Sequence, residues 1–502
     1  MCGGSGTAVS CWLRAARRNV LYLRTGMTYY SHVFLLCLGF EGRVCELMSS
    51  QCVGCKKGCD LKMICFKKFG FDFHTSMMLL MRLWTMFAGL VMMLGLPYWL
   101  TSEQQGYYFT FYSILGLQVF FEMGLNYVIV QVSAHEMANL VLSENGEVQG
   151  PKAGVDRMIS LVNLTRQWYF FIALLFFMVV AIGGIVFFKT NAEVPVFEWI
   201  GPWLTLVILT AINLYVSPLL SIMEGSGLVG QVYRVRLIAS VLGFSCAWCF
   251  LALGNGLWAI VFPALLLAFV TFYWVFGRKN FIAFALRKRS VDLMEAISWR
   301  DDIFPFQWKI AVSWMSGYLI FQFINPVIFS TEGAVVAGKV GLALTAYMAI
   351  LSASMSWVNA KAPVCGKLLA KGNNKEAKAV FLTSMWRSSI CNLSGCIFFI
   401  LLAMVLRRLD SVLAARLPDM FVMSMLAFAT ISNHAVSGLA VYIRCHKEEP
   451  LLVSSLSMAV FIVCGICVSV NFGVDVMMAV YAALSAFVGL PWCVWIFKKY
   501  WN

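Results

Sequence analysis

Met77 to Leu100 and Tyr107 to Gln131 are two apolar runs of 24 and 25 residues, separated only by the polar segment Thr101–Gly106. About 20 apolar residues are enough for a helix to cross the hydrocarbon core of a bilayer. Backbone inside hydrocarbon must satisfy its own hydrogen bonds, which leaves helices or a closed barrel. The pair therefore reads as a transmembrane helical hairpin. Two ionisable residues, Arg82 and Glu122, lie inside it, where charge is costly.

The rest of the chain repeats this pattern. Of its 502 residues 61% are hydrophobic and 12% charged, against about 45–50% and 25% in soluble domains. A soluble fold of this size has no means of hiding that much apolar surface. The alternating ten-residue segments of a membrane β-barrel are absent from the sequence. Twelve spans can be drawn, near 77–100, 107–131, 168–188, 199–222, 233–253, 256–276, 303–328, 334–358, 386–406, 420–443, 450–471 and 476–497. The predicted fold class is an all-α polytopic membrane protein. Alternate connections carry 23 and 4 Lys and Arg residues. Basic connections stay in the cytoplasm, so both termini are expected there. The same bias accounts for the net charge of +14 without any nucleic-acid partner.

Four segments follow. Residues 1–62 form a basic, Cys-rich extension with no span-length apolar run, and translation is expected to start near Met63. Cys52 and Cys55 have the spacing that opens a zinc site, but no second pair follows, so no metal or cofactor is expected. Residues 63–276 and 303–502 hold six spans each. Residues 277–302 join them, and Asn280–Trp299 reads as an amphipathic helix on the inner leaflet. The first span ends Pro97-Tyr-Trp-Leu-Thr-Ser-Glu103, and the seventh ends Pro326-Val-Ile-Phe-Ser-Thr-Glu332. A glycine, Gly106 or Gly338, leads each onward. This recurrence predicts two six-helix lobes related as parallel repeats, one of the transporter architectures.

The intramembrane charges are the candidate functional residues. Arg82 lies roughly 8 Å inside the cytoplasmic boundary, either snorkelling to the headgroups or facing a cavity. Lys309 has a similar depth in the seventh span. Glu122 lies roughly 14 Å deep. It either pairs with Arg82 across the hairpin or titrates and carries coupling protons, with Asn126 one turn further on the same face. His434, beside Asn433, either titrates or is a structural hydrogen-bonded histidine. Lys339 is expected to snorkel at the outer side. Gln118, Asn213, Gln322, Asn325 and Asn359 are expected to join helices by hydrogen bonds.

Gly333-Ala-Val-Val-Ala-Gly338-Lys339-Val340 imitates a phosphate-binding loop but lacks the final Ser or Thr and opens a span, so no ATPase is expected. No nucleophile–base constellation stands out, and no enzymatic activity is expected. The outer connections are also too short for a membrane-embedded glycosyltransferase or polymerase.

Phe69–Gly89, Leu100–Glu136 with its Thr-Ser-Glu-Gln-Gln-Gly-Tyr-Tyr turn, and Gly366–Ala379 with its Gly-Asn-Asn-Lys-Glu-Ala turn resemble the Wzx-like O-antigen exporters of the MOP superfamily (multidrug, oligosaccharidyl-lipid, polysaccharide). The resemblance covers the chain from Phe69 onward in topology. It implies two lobes around a central cavity that opens to alternate sides of the bacterial inner membrane. It also implies a polyprenyl-diphosphate-linked oligosaccharide as substrate, surrounding membrane lipids, and a polysaccharide polymerase or other assembly proteins as partners. The idea of cavity cations maps onto Arg82 and Lys309. The alternative is a cation-coupled multidrug or small-molecule antiporter of the same superfamily, for which Glu122 would matter more.

Overall fold

A computed structural model describes residues 73–142, 148–277, 297–446 and 450–501. The extension 1–62, its Cys52–Cys55 pair and the amphipathic stretch 280–296 lie outside the described residues. Met77–Asn502 belong to one compact unit.

Helix α1 (Phe73–Trp99) is the first span. The turn after it is set by its sequence: Thr101 accepts from the Gln104 N–H at 3.2 Å, and Gln104 Oε1 accepts from the Thr101 N–H at 3.4 Å. This reciprocal box satisfies two donors that a helix start leaves open. The second span has three pieces, α2 (Ser102–Leu115), α3 (Gln118–Glu122) and α4 (Leu125–Glu136). A two-residue β-hairpin, Val141–Leu142 against Val148–Gln149, follows. Then come α5 (Lys152–Thr190), α6 (Val196–Met223), α7 (Val229–Ala252) and α8 (Val261–Phe276). The second half holds α9 (Phe304–Phe321), α10 (Ile324–Ala370), α11 (Asn374–Arg408), the short α12 (Val412–Ala415), α13 (Met420–Arg444) and α14 (Leu452–Ser469). It ends with α15 (Val474–Ala483) and α16 (Leu490–Trp501).

Two helical stretches are too long for one crossing. Val196–Ala252 has 57 residues and Gln307–Leu369 has 63, about 85 and 95 Å at 1.5 Å per residue. Each is interrupted by one glycine in the left-handed region, Gly227 (φ 90°) and Gly333 (φ 88°). Dividing them there, and counting α2–α4 as one bent span, gives the twelve crossings read from the sequence. The helices overrun the predicted spans at the basic end. Helix α5 begins at Lys152 and not near 168 because helix geometry continues into polar residues that hydropathy does not register. The Gly-Asn-Asn turn is as expected. Gly372 (φ 74°) bonds to the Leu369 carbonyl and Asn373 to the Leu368 carbonyl, which closes the end of α10.

Packing separates two lobes. Helices α5, α6, α7 and α8 pack on one another, as do α9, α10, α11, α13 and α14. The seam between the lobes is chiefly α2 against α10. Gly106 and Gly338 are in backbone contact there: a Cβ on Gly106 would lie 2.0 Å from the Ala334 carbonyl oxygen, and one on Gly338 would lie 2.8 Å from the Gly106 nitrogen. The stretch that imitates a phosphate-binding loop is thus a small-residue helix contact. Gln105 Nε2 donates to the Gly338 carbonyl at 2.9 Å, Asn325 Nδ2 donates to Thr110 Oγ1 at 3.2 Å, and the Tyr318 hydroxyl donates to the Ser113 carbonyl at 2.9 Å.

The Gly106→Ala variant is expected to be less stable by about 1–3 kcal/mol, the usual range for overpacking. Gly183→Ala, where a Cβ meets nothing within 4 Å, is expected to leave the melting temperature in detergent unchanged. Equal melting of both variants would contradict the backbone contact.

Candidate functional site

The second span breaks where its carboxylate lies. Helix α3 ends at Glu122, and Met123 (φ 50°) and Gly124 (φ 66°) both turn left-handed before α4 begins. The two halves meet at 44°. Gly124 is required twice over, by its φ and because a Cβ there would lie 2.5 Å from Ile310 Cγ2 of α9. Glu122 is only 9% exposed. Its Oε2 accepts from Gln118 Nε2 at 3.3 Å, and Asn126, at the start of α4, acts on it electrostatically. A carboxylate at a helix N-terminus meets unsatisfied N–H groups and the positive end of the helix dipole.

Asn126 ties this break to the first lobe. Its Nδ2 donates to Ser217 Oγ at 2.8 Å. Its Oδ1 accepts from the Tyr169 hydroxyl at 3.1 Å and from Ser221 Oγ at 3.2 Å. One amide therefore links α4 to α5 and α6.

Gln118 also borders a cavity of about 720 Å³ in the first lobe. Its polar wall includes Tyr112, Thr210, Asn213, Ser217 and Ser240, with Gln322 of α9's C-terminal end at its edge. Thr210, Asn213 and Ser217 recur at helical spacing on α6, so they form one stripe. Thr271 of α8 is 3% exposed, and its Oγ1, in the cavity wall, has no hydrogen-bond partner. Arg236 is the cation in the wall. It lies 3.4 Å from Glu224 and over the Tyr233 ring at 5.3 Å.

Arg82 is exposed on α1, next to the cavity residue Met81 and within electrostatic reach of Tyr233. Tyr233 thus feels Arg82 together with Arg236 and Glu224. Arg82 does not pair with Glu122, contrary to one of the two expectations for that residue. Depth along a helix does not fix the direction in which a side chain points. Glu122 is buried at a break among amides, whereas Arg82 is exposed on a different face of the hairpin. Helix α1 is held by Trp84, whose Nε1 donates to Ser240 Oγ at 3.0 Å. Lys309 is exposed on α9, with its Nζ 5.9 Å from the Trp308 ring. It does not line this cavity. Lys339 is half-buried on α10.

His434 is buried in α13, in the second lobe. Its Nε2 lies 2.7 Å from Ser388 Oγ. Ser388 in turn donates to the Ser354 carbonyl at 2.6 Å, and Asn392 Nδ2 donates to Ser354 Oγ at 3.2 Å. With the Ser388 hydrogen engaged, His434 supplies the N–H of the shared bond. Neighbouring Asn433 donates to the Tyr481 hydroxyl at 3.2 Å. Among the described residues no group of three or more His, Cys, Asp and Glu is placed to hold a metal.

Sequence reading missed the break, the Asn126 hub and the role of Arg236. The α6 stripe was a usable signal, because three polar residues at i, i+3 and i+7 in an apolar span share a face. The break was not legible, since glycine is common in membrane helices.

No family model and no curated protein matches the chain. Solved structures do. The lipid II flippase MurJ in an inward closed conformation aligns with a TM-score of 0.59 at 9% identity, over 85% of this chain and 87% of that one. A multidrug resistance MATE family transporter of the MOP superfamily, inward-facing, aligns with a TM-score of 0.56 at 14% identity, over 84% and 95%. The MATE multidrug transporter DinF-BH, in complex with R6G, aligns with a TM-score of 0.55 at 12% identity, over 85% and 95%. At these identities the likeness establishes the fold alone, one shared with these transporters.

Asn126→Leu is expected to strand the buried Tyr169 hydroxyl, while Ser217 and Ser221 keep their bonds to the Leu214 and Ser217 carbonyls, and to cost about 1–3 kcal/mol of stability. Thermal melting of the purified protein reads this directly, and wild-type melting would remove Asn126 as the hub.

Proposed function

We propose that the protein is a transporter of the bacterial inner membrane. It moves a polyprenyl-diphosphate-linked oligosaccharide to the outer leaflet by alternating access, with both termini in the cytoplasm. The observation that carries this reading is the cationic rim. Arg236 lines a polar cavity of the first lobe, and Arg82, beside the cavity residue Met81, acts with it electrostatically on Tyr233. A diphosphate is bound well by guanidinium groups, which offer paired N–H donors. Lys309, exposed on the first helix of the other lobe, supplies a third cation. The glycan needs hydroxyl and amide partners during transit, since burying its polar groups unbonded is costly. Thr210, Asn213, Ser217 and Thr271 are such groups. The prenyl tail remains in lipid, so only the headgroup needs a polar path. The resemblance to Wzx-like exporters in the stretches quoted above points the same way.

Glu122 favours a second reading, the cation-coupled antiporter of drugs or other small molecules. It is a buried carboxylate with no cationic partner among the described residues, and Gln118 connects it to the cavity wall. The cavity volume is also in the range of drug-sized sites, about 300–1,000 Å³.

Under the first reading, the Arg82→Ala, Lys309→Ala double variant inserts normally but exports about tenfold less surface glycan, as expected when charge-assisted bonds to a phosphate are lost. Wild-type glycan levels in that variant would discard the cation role. Glu122→Gln is expected to weaken transport driven by an ion gradient in proteoliposomes. If that variant keeps full gradient dependence, Glu122 has no part in coupling.

A further inference from the structure

The repeated turns, Pro97–Glu103 and Pro326–Glu332, take no part in the cavity. We infer that they form a reciprocal clasp that holds the two lobes shut at the end opposite the basic connections.

Glu193 lies in the connection between α5 and α6 of the first lobe. Its Oε1 accepts from the Ala334 N–H at 2.8 Å. Ala334 is the first residue after Gly333, where α10 kinks and restarts. A restarted helix leaves its leading N–H groups without partners, and a carboxylate there meets the positive end of the dipole. Gly333 admits this contact only as glycine. Its φ is 88°, and a Cβ would lie 2.2 Å from the same Glu193 oxygen. The Glu193 N–H donates to the Tyr107 hydroxyl at 3.3 Å, and the Tyr107 ring meets Phe329 of the second lobe edge to face at 5.0 Å.

The second lobe returns the contact. Arg416, in the connection between α12 and α13, donates from Nη2 to the Leu100 carbonyl at 2.7 Å. Leu100 follows the last residue of α1, where carbonyls lack helical partners and a cation is favoured. Glu103, on the same turn, acts electrostatically on Arg416. Thus an acid of the first lobe caps a helix start in the second, and a base of the second caps a helix end in the first. Arg416 holds the first copy of the repeated turn, and Glu193 holds the helix restart just after the second. Between them lies the backbone contact of Gly106 with Ala334 and Gly338.

Both charged groups bond to backbone at a helix end instead of to each other. The contact therefore depends on where those helix ends stand, and it is lost when the lobes part. This inference does not depend on what is carried, so its failure is separable from failure of the transport reading.

Hydrogen–deuterium exchange on the purified full-length chain in nanodiscs tests it. Glu193→Ala is expected to raise exchange about tenfold at 334–341 and also at 100–106, the turn held by Arg416. Arg416→Ala is expected to raise exchange at the same two segments. Glu193→Gln keeps an acceptor oxygen and loses only the charge, so a smaller rise at both is expected. Exchange within α6 stays at the wild-type level and reports an intact fold. A rise confined to the helix end that each side chain caps would overturn the clasp, and so would unchanged exchange in the Ala variants.

Discussion

The contact of Gly106 with Ala334 and Gly338 is the one on which the arrangement of the two lobes depends. Inside a bilayer, lipid tails are as apolar as leucine, so two helices gain little from merely hiding apolar surface against each other. They associate through close packing and through hydrogen bonds that lipid does not offer. Small residues allow α2 and α10 to touch at the backbone. Once they do, Gln105, Thr110 and Ser113 come within reach of Gly338, Asn325 and Tyr318, and the seam becomes specific. Larger residues at Gly106 or Gly338 would separate the backbones and take these bonds away together.

A firm seam leaves the rest of the second span to accommodate the first lobe, and it does so by breaking. A non-glycine residue in the left-handed region costs about 1–2 kcal/mol, and Met123 accepts that cost. Several contacts offset it. Gly124 fits against Ile310, Glu122 finds the start of α4, and α4 is turned so that Asn126 reaches Tyr169, Ser217 and Ser221. The break thus explains how a carboxylate is kept inside the span with no countercharge among the described residues. Amides and a helix end stabilise it, and one of those amides, Gln118, also faces the cavity. The same residues that shape the span connect its charge to the space beside it.

The sequence made the twelve crossings and their alternation legible because hydrophobic length is set by the bilayer and repeats twelve times. It did not reveal helix ends, since α5, α10 and α11 continue beyond the apolar part of their spans. It placed Glu122 within the second span but offered no direction for it, because a left-handed Met123 is invisible in composition. Gly333–Val340 was recognisable as unfit for phosphate binding, yet its spacing of small residues already described a helix contact. Gly372 was legible because glycine after a basic helix end has one common use, closing that end. What escaped were relations between distant segments, such as Arg416 with Leu100 or Glu193 with Ala334. No local pattern encodes those.

A common solution runs through these sites. Glu122, Glu193 and Arg416 each meet a helix terminus, and Arg407 bonds to the Pro418 carbonyl. Pairing each with an opposite charge would require a second ion to be taken out of water, and that penalty can exceed the attraction gained. A helix end supplies a partial charge that is already part of the fold and carries no desolvation cost of its own side chain. It also has a position, which a mobile counter-ion lacks. A charge held in this way is sensitive to where a helix stands, and a helix that moves changes the energy of that charge. In a bundle built from two lobes, this couples the ionisable side chains to lobe position without any covalent or metal linkage. Polar groups that look misplaced in the sequence are, in the fold, the points where one helix registers the location of another.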